Sequence, residues 1–177
     1  MTTRFPRRKL LKTAAAAAGA VAGSRLIGAP AILAERSPNS TVGTVVIGCL
    51  NQGFISVNEV ARLGERLVAL VDVDENHLDK AKKDLAEKYP DLKTSAIQTF
   101  YDYRKMLDKI HKQVDAVFVC TPDNHHATAA TMAMKLGKNV YVEKPMAKTI
   151  DEARKLAETA RKYKVMTQMG NQGHSGE

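Results

Sequence analysis

Short apolar runs alternate with helical patterns about six times between residues 42 and 169, and this alternation limits the fold more than any other feature. The first run contains Val45, Val46 and Ile47, and consecutive β-branched residues favour a strand that is buried on both faces. The predicted strands are residues 42–49, 67–73, 97–100, 114–120, 139–142 and 165–169. Strands that alternate with helices form a parallel sheet covered on both faces, so the predicted fold class is a doubly wound α/β domain.

Apolar residues recur at helical spacing between the predicted strands. One helix is predicted to end near Leu63, and a helix over residues 124–136 is predicted to end at Gly137. Two more are indicated by Leu78, Ala81, Leu85 and Tyr89, and by Tyr103, Met106, Leu107 and Ile110. Thr149 and Glu152 form a capping-box pattern before the last helix. That helix is predicted to bury a face made of Ala153, Leu156, Ala157 and Ala160.

Residues 1–34 are predicted to be a targeting segment outside the folded domain. The twin arginine Arg7-Arg8 precedes a weakly apolar, alanine-rich stretch, and Ala29-Pro30-Ala31 fits a small-residue cleavage site, with Ala34 as a second candidate. This pattern resembles the signal for export of folded proteins, so we expect a periplasmic protein. An alternative is an amphipathic or disordered N-terminal arm. Residues 35–41 are then a linker, and residues 42–177 form the domain.

The net charge of +8 does not indicate a nucleic-acid partner, because residues 1–34 carry six basic residues and no acidic one. The remainder has 21 basic and 19 acidic residues. No apolar run is long enough for a conventional membrane span, and no cysteine follows the alanine stretch, so a stable membrane anchor is not expected. Cys49 and Cys120 lie at the ends of predicted strands, where buried free thiols are common.

The turn after the first predicted strand resembles a dinucleotide-binding fingerprint, G-x-G-x-x-G. Its predicted contacts with a bound cofactor come from Gly48, Cys49, Leu50, Asn51, Gln52 and Gly53. The first and third glycines are present, but Leu50 replaces the second, which normally lets the backbone approach the pyrophosphate. The helix that follows still offers free N–H groups at its N-terminus.

Asp72 lies at the end of the second predicted strand, 24 residues after Gly48. A carboxylate at this place accepts hydrogen bonds from ribose hydroxyls and repels a 2′-phosphate, which favours NAD over NADP. Asp74 competes for the same role, and a solvated loop acid is the alternative reading. Beyond the fourth predicted strand, Thr121 and Pro122 lie where a cofactor would cross the sheet.

The most specific pattern combines Thr121-Pro122-x-x-x-His126 with the run from Gly137 to Glu143-Lys144-Pro145. This pattern resembles the Gfo/Idh/MocA oxidoreductases. The leader, Gly48-Cys49 and the run over residues 170–175 resemble the exported branch of that family. The resemblance implies a Rossmann-type NAD(P)-binding domain followed by an α/β substrate domain. It also implies cofactor contacts by His126, Glu143, Lys144 and Pro145.

Within that resemblance, Lys144 is the catalytic residue beside the nicotinamide and the substrate hydroxyl, since an ammonium group stabilises a developing alkoxide. The implied reaction is hydride transfer between a nicotinamide cofactor and a CH–OH group of a sugar or cyclitol. The chain stops at Glu177, before the implied substrate domain, so we expect a fragment that binds cofactor without full catalysis. Any oligomer is expected to form through that second domain.

Two other functions stay open. One is an NAD-dependent glycoside hydrolase on the same scaffold, and the other is a nucleotide-binding module without catalysis. No metal site is predicted, because His125 and His126 diverge by about 100° on a helix and no Cys/His cluster completes a zinc pattern. His125 is expected to be a surface residue.

Overall fold

A computed structural model describes residues 41–174 of the chain. The predicted targeting segment, its cleavage sites, most of the linker and residues 175–177 lie outside this range. The described residues form a six-stranded parallel sheet with the order β3-β2-β1-β4-β5-β6. Its strands are β1 (Gly43–Ile47), β2 (Arg66–Val71), β3 (Gln98–Phe100), β4 (Ala116–Val119), β5 (Asn139–Glu143) and β6 (Thr167–Gly170). The predicted parallel α/β fold is confirmed.

Five helices connect these strands, with bounds α1 (Gln52–Arg62), α2 (Glu75–Lys88), α3 (Tyr103–Ile110), α4 (Asp123–Lys135) and α5 (Ile150–Tyr163). The predicted and observed strand ends differ by at most two residues, and local backbone geometry explains two of the differences. Gly48 has a φ of +87°, which ends β1 before Cys49. The N–H of Val114 bonds the carbonyl of His111 in a short 3₁₀ turn, so β4 begins later than predicted.

The two faces of the sheet are covered by different helices. Helices α1 and α2 cover one face and pack Val57 and Leu78 against Val46 and Leu70. Helices α3, α4 and α5 belong to the core of the opposite face, which contains Met106, Ala130, Leu156, Val45 and Val117. The direction of the connections therefore reverses between β1 and β4. Such a reversal opens a crevice at the carboxyl ends of the strands, where ligands bind.

The buried face of α5 differs from the prediction. Leu156 and Thr159 are buried and Ala160 is half-buried, whereas Ala153 and Ala157 are exposed. Alanine is tolerated on either face of a helix, so alanines widened the predicted apolar stripe beyond the real one. Thr159 is buried without penalty because its hydroxyl donates to the carbonyl of Lys155 at 2.7 Å. The predicted capping box is confirmed at Thr149 and Glu152.

The helices within residues 41–174 were compared with what a membrane-spanning helix requires. None of them combines the length and the apolar character needed to cross a membrane.

Candidate functional site

A cavity of about 830 Å³ lies along the carboxyl ends of β1, β2, β4 and β5. Ten of the predicted contact residues line it: Gly48, Leu50, Asn51, Gln52, Asp72, Thr121, Pro122, His126, Glu143 and Lys144. Cys49, Gly53 and Pro145 do not. We call the side formed by Asp72, Val73, His77 and residues 101–104 the β2 half. The side formed by residues 120–126 with Glu143 and Lys144 is the β5 half, and the turn after β1 lies between them.

The turn after β1 needs glycine at two positions because the backbone approaches its neighbours closely. A Cβ on Gly48 would lie 2.5 Å from the carbonyl oxygen of Cys120, and a Cβ on Gly53 would overlap the carbonyl oxygen of Gly48. The N–H of Gly48 also donates to Val71 at 2.7 Å, which ties the turn to β2. Because Gly53 has no Cβ, α1 can begin directly after the turn, in close contact with the Gly48 carbonyl.

The turn differs from the fingerprint at its centre. Leu50 is 43% exposed and lines the cavity, so a ligand meets a side chain there and not bare backbone. Asn51 is the N-cap residue of α1, has a φ of +51° and makes no side-chain cap. In the first turn of α1, the Gly53 N–H donates to the Leu50 carbonyl at 3.0 Å, and the other N–H groups are available to an anion such as a pyrophosphate.

In the β2 half, the Asp72 carboxylate joins the turn after β1 to the start of α2. Its Oδ2 accepts from the Cys49 N–H at 2.8 Å, and its Oδ1 accepts from the Asp74 N–H at 3.0 Å. Asp74, the competing candidate, is the N-cap of α2 and accepts from the Asn76 N–H at 2.9 Å. That backbone hydrogen bond, with one from the Asn76 side chain, lowers the pKa of Asp74. Of these two candidates, Asp72 lines the cavity and Asp74 does not.

The sequence did not single out His77 or Arg104, which also line the β2 half. His77 lies on the first turn of α2, with its Nδ1 3.2 Å from Asp72 Oδ1. Arg104 donates to both oxygens of the Asp102 carboxylate at 2.8–3.1 Å. These hydrogen bonds lower the pKa of Asp102 to about 2. The sequence feature that could have indicated these two residues is their position just after the N-cap residues of α2 and α3.

In the β5 half, His126 holds two loops together. Its ring is 1% exposed, with Nε2 2.6 Å from the Thr121 carbonyl and Nδ1 2.7 Å from the Pro145 carbonyl. The Lys144-Pro145 peptide bond is cis. Both ring nitrogens are engaged with backbone, so the histidine links the loop after β4 to the loop after β5. This geometry gives a physical reason for the combined T-P-x-x-x-H and E-K-P pattern.

Glu143 is a buried carboxylate beside that loop, with 4% exposure. Its Oε1 accepts from Gln172 Nε2 at 2.6 Å and from the Tyr141 hydroxyl at 3.3 Å. Burial, together with the Glu143 charge, raises the pKa of Tyr141 to about 12. Gly170 permits this cluster, because a Cβ there would lie 2.5 Å from the Tyr141 hydroxyl. The sequence did not predict a role for Gln172, and the only feature that could have indicated one is the polar run after β6 in which it lies.

Two groups in the β5 half remain open to a ligand. Lys144 is exposed and lines the cavity, and its ammonium group has no hydrogen-bond or ion-pair partner within residues 41–174. The hydroxyl of Thr121 is buried and also has no hydrogen-bond partner among the described residues. A buried polar atom without a partner beside a cavity fits a site whose ligand supplies the missing bond.

The two cysteines and His125 differ in how deeply they are buried. Cys49 is buried and Cys120 half-buried, and both are free thiols, as predicted. Burial raises the pKa of each thiol to about 12. His125 is exposed, as predicted, and contacts the Tyr103 ring edge-on at 5.5 Å. Across residues 41–174, no three His, Cys, Asp or Glu side chains are grouped so that they could hold a metal ion.

The strand order, the glycine turn and the carboxylate after β2 define a Rossmann-type dinucleotide-binding domain. A family model described as an oxidoreductase family with an NAD-binding Rossmann fold, GFO_IDH_MocA, matches residues 42–171. The chain therefore belongs to the Gfo/Idh/MocA oxidoreductases, as its motifs indicated, and its described residues form an NAD-binding domain of that family.

Several proteins are similar to this chain. An α-N-acetylgalactosaminidase of Bacteroides fragilis is 32% identical over 127 residues, which are 71% of this chain and 29% of that protein. A scyllo-inositol dehydrogenase of Lactobacillus casei, solved with NAD(H) and scyllo-inositol, has a TM-score of 0.65 and 24% identity and covers 77% of this chain. A protein of gentamicin A biosynthesis, solved with NAD, has a TM-score of 0.60 and 26% identity over 73% of this chain. The chain spans 38% and 34% of those two solved chains.

Proposed function

We propose that this domain supplies the NAD site of an oxidoreductase that transfers a hydride between the nicotinamide and a CH–OH group of a sugar or cyclitol. The observation that carries the proposal is the unpaired Lys144 ammonium at the cavity, on a loop held by the buried His126. The family supports NAD as the cofactor. The relative from Bacteroides, named for a sugar substrate, supports the substrate class.

The dinucleotide is proposed to extend along the whole cavity. Its pyrophosphate lies at the N-terminus of α1, where N–H groups and the helix dipole favour an anion. The adenosine ribose lies at Asp72, whose Oδ2 accepts only one protein hydrogen bond and can accept another. The nicotinamide end lies in the β5 half, where it supplies a partner for the Thr121 hydroxyl.

Bound NAD supplies the hydride acceptor, and the chain supplies position and charge. As the hydride leaves the substrate carbon, the hydroxyl proton passes to a base; Lys144 donates hydrogen bonds to the substrate oxygen and stabilises the negative charge that the departing proton leaves on it. Lys144 forms no ion pair within residues 41–174, so its ammonium group is available to the negative charge on the substrate oxygen. The hydrogen bonds of His126 keep the loop that carries Lys144 in place.

The test replaces Lys144 with alanine in a longer protein that joins this domain to a substrate domain. Because the ammonium group acts mainly when the alkoxide develops, we expect turnover to fall about a hundredfold or more and NAD affinity to change less than about threefold. Lys148→Ala is the matched control, since Lys148 is an exposed lysine four residues away. Unchanged turnover in Lys144→Ala would contradict the catalytic role. NAD binding without turnover in the unsubstituted protein would support a non-catalytic module.

A second candidate is an NAD-dependent glycoside hydrolase, favoured by the name of the Bacteroides relative. Such an enzyme oxidises and then reduces the same sugar, so it releases the aglycone without accumulating NADH. The longer protein is incubated with a nitrophenyl α-N-acetylgalactosaminide and, separately, with free sugars and inositols. Nitrophenol release without net NADH supports the hydrolase, whereas NADH formation from a free polyol supports the dehydrogenase.

We also propose that the protein is exported folded, with its nucleotide already bound. The support is Arg7-Arg8 before a weakly apolar stretch on a chain that carries an NAD-binding domain. Replacing both arginines with lysine is expected to keep the protein in the cytoplasm, as measured by cell fractionation. Unchanged export of the double variant would refute the twin-arginine signal. Nucleotide-free mature protein would refute only the carried cofactor.

A further inference from the structure

His77 lies between two carboxylates at the β2 half of the cavity. Its Nδ1 is 3.2 Å from Asp72 Oδ1, and its Nε2 is 3.6 Å from Asp74 Oδ2. A neutral imidazole donates from only one nitrogen, whereas the protonated ring donates from both. The protonated ring therefore neutralises part of the charge of both aspartates, and the neutral ring leaves both charges in place.

The charges of Asp72 and His77 are poorly screened by water, whereas that of Asp74, whose side chain is 43% exposed, is better screened. The Asp72 side chain is only 9% exposed and that of His77 is 30% exposed, so their interaction is stronger than between two fully solvated groups. Among the other nearby charged groups, Glu75 and Asp79 lie near the Tyr101 hydroxyl, and two more acidic side chains are paired with cations. Lys80 pairs with Asp84 at 2.7 Å, and Arg104 pairs with Asp102 at 2.8 Å. His77 is thus the group whose charge state changes the balance beside Asp72.

A smaller cavity of about 210 Å³ lies on the other side of His77. His77, Leu50 and Asn51 line both cavities and so separate them. A ribose whose 2′-hydroxyl binds Asp72 would have its 2′ position beside this carboxylate, and therefore near His77, whose Nδ1 is 3.2 Å from the other Asp72 oxygen. A phosphate there meets the charges of Asp72 and Asp74 together with that of His77.

We propose that His77 is a specificity-determining residue that controls how strongly this site rejects a 2′-phosphate on the adenosine ribose. The inference rests on the proposed placement of that ribose at Asp72. When His77 is neutral, the two aspartates repel NADP and the site selects NAD. When His77 is protonated, the repulsion decreases and NADP binds closer in affinity to NAD.

The titratable and charged groups that line the β2 half or the smaller cavity with His77 are Cys49 after β1, Asp72 after β2, Lys80 and Asp84 on α2, and Tyr101, Asp102, Tyr103 and Arg104 between β3 and the first turn of α3. Asp74 lines neither cavity but faces the His77 ring. Among side chains of these types, only histidine ordinarily changes charge between about pH 5 and 8. Arginine and lysine stay positive there, and the carboxylates stay largely ionised.

The test measures the dissociation constants of NAD and NADP by calorimetric titration of the chain at about pH 8 and about pH 5.5. The variants are His77→Asn, which cannot carry charge, and His77→Lys, which always does. His111→Asn is the matched control, because that histidine lies in the short 3₁₀ turn before β4 and lines neither cavity. The 2′-phosphate itself gains a proton near pH 6, so the change in each variant is compared with the change in the wild type.

We expect the ratio of NADP to NAD dissociation constants to fall about tenfold more in the wild type than in His77→Asn as the pH decreases. His77→Lys is expected to have the lower ratio already at the higher pH, and His111→Asn should behave like the wild type. Equal pH dependence in the wild type and His77→Asn would overturn the role of His77 and leave the NAD site intact. Absence of saturable NAD binding by the wild type would instead overturn the proposed placement of the cofactor.

Discussion

The two halves of the cavity each contain a histidine whose two ring nitrogens face oxygen atoms, but the settings differ. His126 in the β5 half is buried and faces two backbone carbonyls, whereas His77 in the β2 half is partly exposed and faces two carboxylates. Burial with backbone partners makes the first histidine part of the scaffold. Because His77 is partly exposed and lies next to two carboxylates, its charge affects the electrostatics of the site, but its side chain contributes little to the stability of the fold.

The rest of each half follows the same division. In the β5 half, Glu143 is buried and receives hydrogen bonds from Gln172 and Tyr141, so this end is continuous with the packed sheet. In the β2 half, Arg104 and Asp102 form an ion pair with a partly solvated arginine. Substitutions of the buried His126 and Glu143 should therefore change stability, and substitutions of His77 and Arg104 should mainly change ligand affinity.

The largest effect is expected from removing the two histidines in turn. His126→Ala leaves a cavity and two buried carbonyls without partners, and should lower the free energy of unfolding by about 4 kcal/mol. His77→Ala should lower it by less than about 1 kcal/mol because the group is partly solvated. Urea denaturation of both variants measures the difference. Equal losses would remove the distinction between a scaffold histidine and an electrostatic one.

A somewhat smaller effect is expected in the turn between the halves. A Cβ at Gly53 would overlap the Gly48 carbonyl, so Gly53→Ala must push α1 away from β1, at a cost of about 3 kcal/mol and with loss of NAD binding. Gly173→Ala is the matched control, because a Cβ there meets nothing within 4 Å. Retained stability and affinity in Gly53→Ala would show that the turn is not held as closely as its geometry indicates.

Alkaline pH should destabilise the domain because the thiols of Cys49 and Cys120 have raised pKa values in the folded state. Burial first, and then the Asp72 charge, raises the pKa of Cys49 to about 12; burial, with the Glu143 charge, does the same for Cys120. The native thiols keep their protons where those of the unfolded chain, near pKa 9, have lost them. Between these values the unfolded state binds fewer protons, so the free energy of unfolding falls as pH rises, by about 1 kcal/mol per thiol at pH 10.

Serine variants assign this loss to one thiol or the other. Cys49→Ser should remove the part that the Cys49 thiol contributes, and Cys120→Ser the part that the Cys120 thiol contributes, because serine does not ionise in this range. Chemical denaturation at several pH values between 8 and 11 measures both. A pH dependence that survives the double variant would assign the loss to other groups, such as Tyr141.

The smallest effect is expected at the position where the fingerprint lacks its central glycine. Leu50 is partly exposed and lines the cavity, so Leu50→Gly should leave NAD affinity unchanged or improve it by less than about threefold. Fluorescence titration with NADH measures this change. A clear weakening would show that the leucine side chain packs on the nucleotide and that the phosphates follow a different path.

The sheet was predictable from sequence because its strands are short apolar runs between amphipathic helices, and even the three-residue β3 was located correctly. The turn was predictable because two glycines mark close backbone approach. By contrast, His77 and Gln172 owe their positions to contacts that no local pattern encodes, and Gln172 meets Glu143 across 29 residues of sequence. The exposed Ala153 and Ala157 were misassigned because alanine carries little information about burial.

The central claim is that one dinucleotide spans both halves, and amide chemical-shift mapping of the ¹⁵N-labelled chain tests it directly. AMP should shift the signals of Asp72 and His77, nicotinamide mononucleotide should shift those of Thr121 and Lys144, and NAD should shift both sets with a single saturation curve. Each probe carries one part of NAD, so the two fragments should not shift each other's set. Shifts by NAD confined to one half, or no saturable shift in either, would contradict the account.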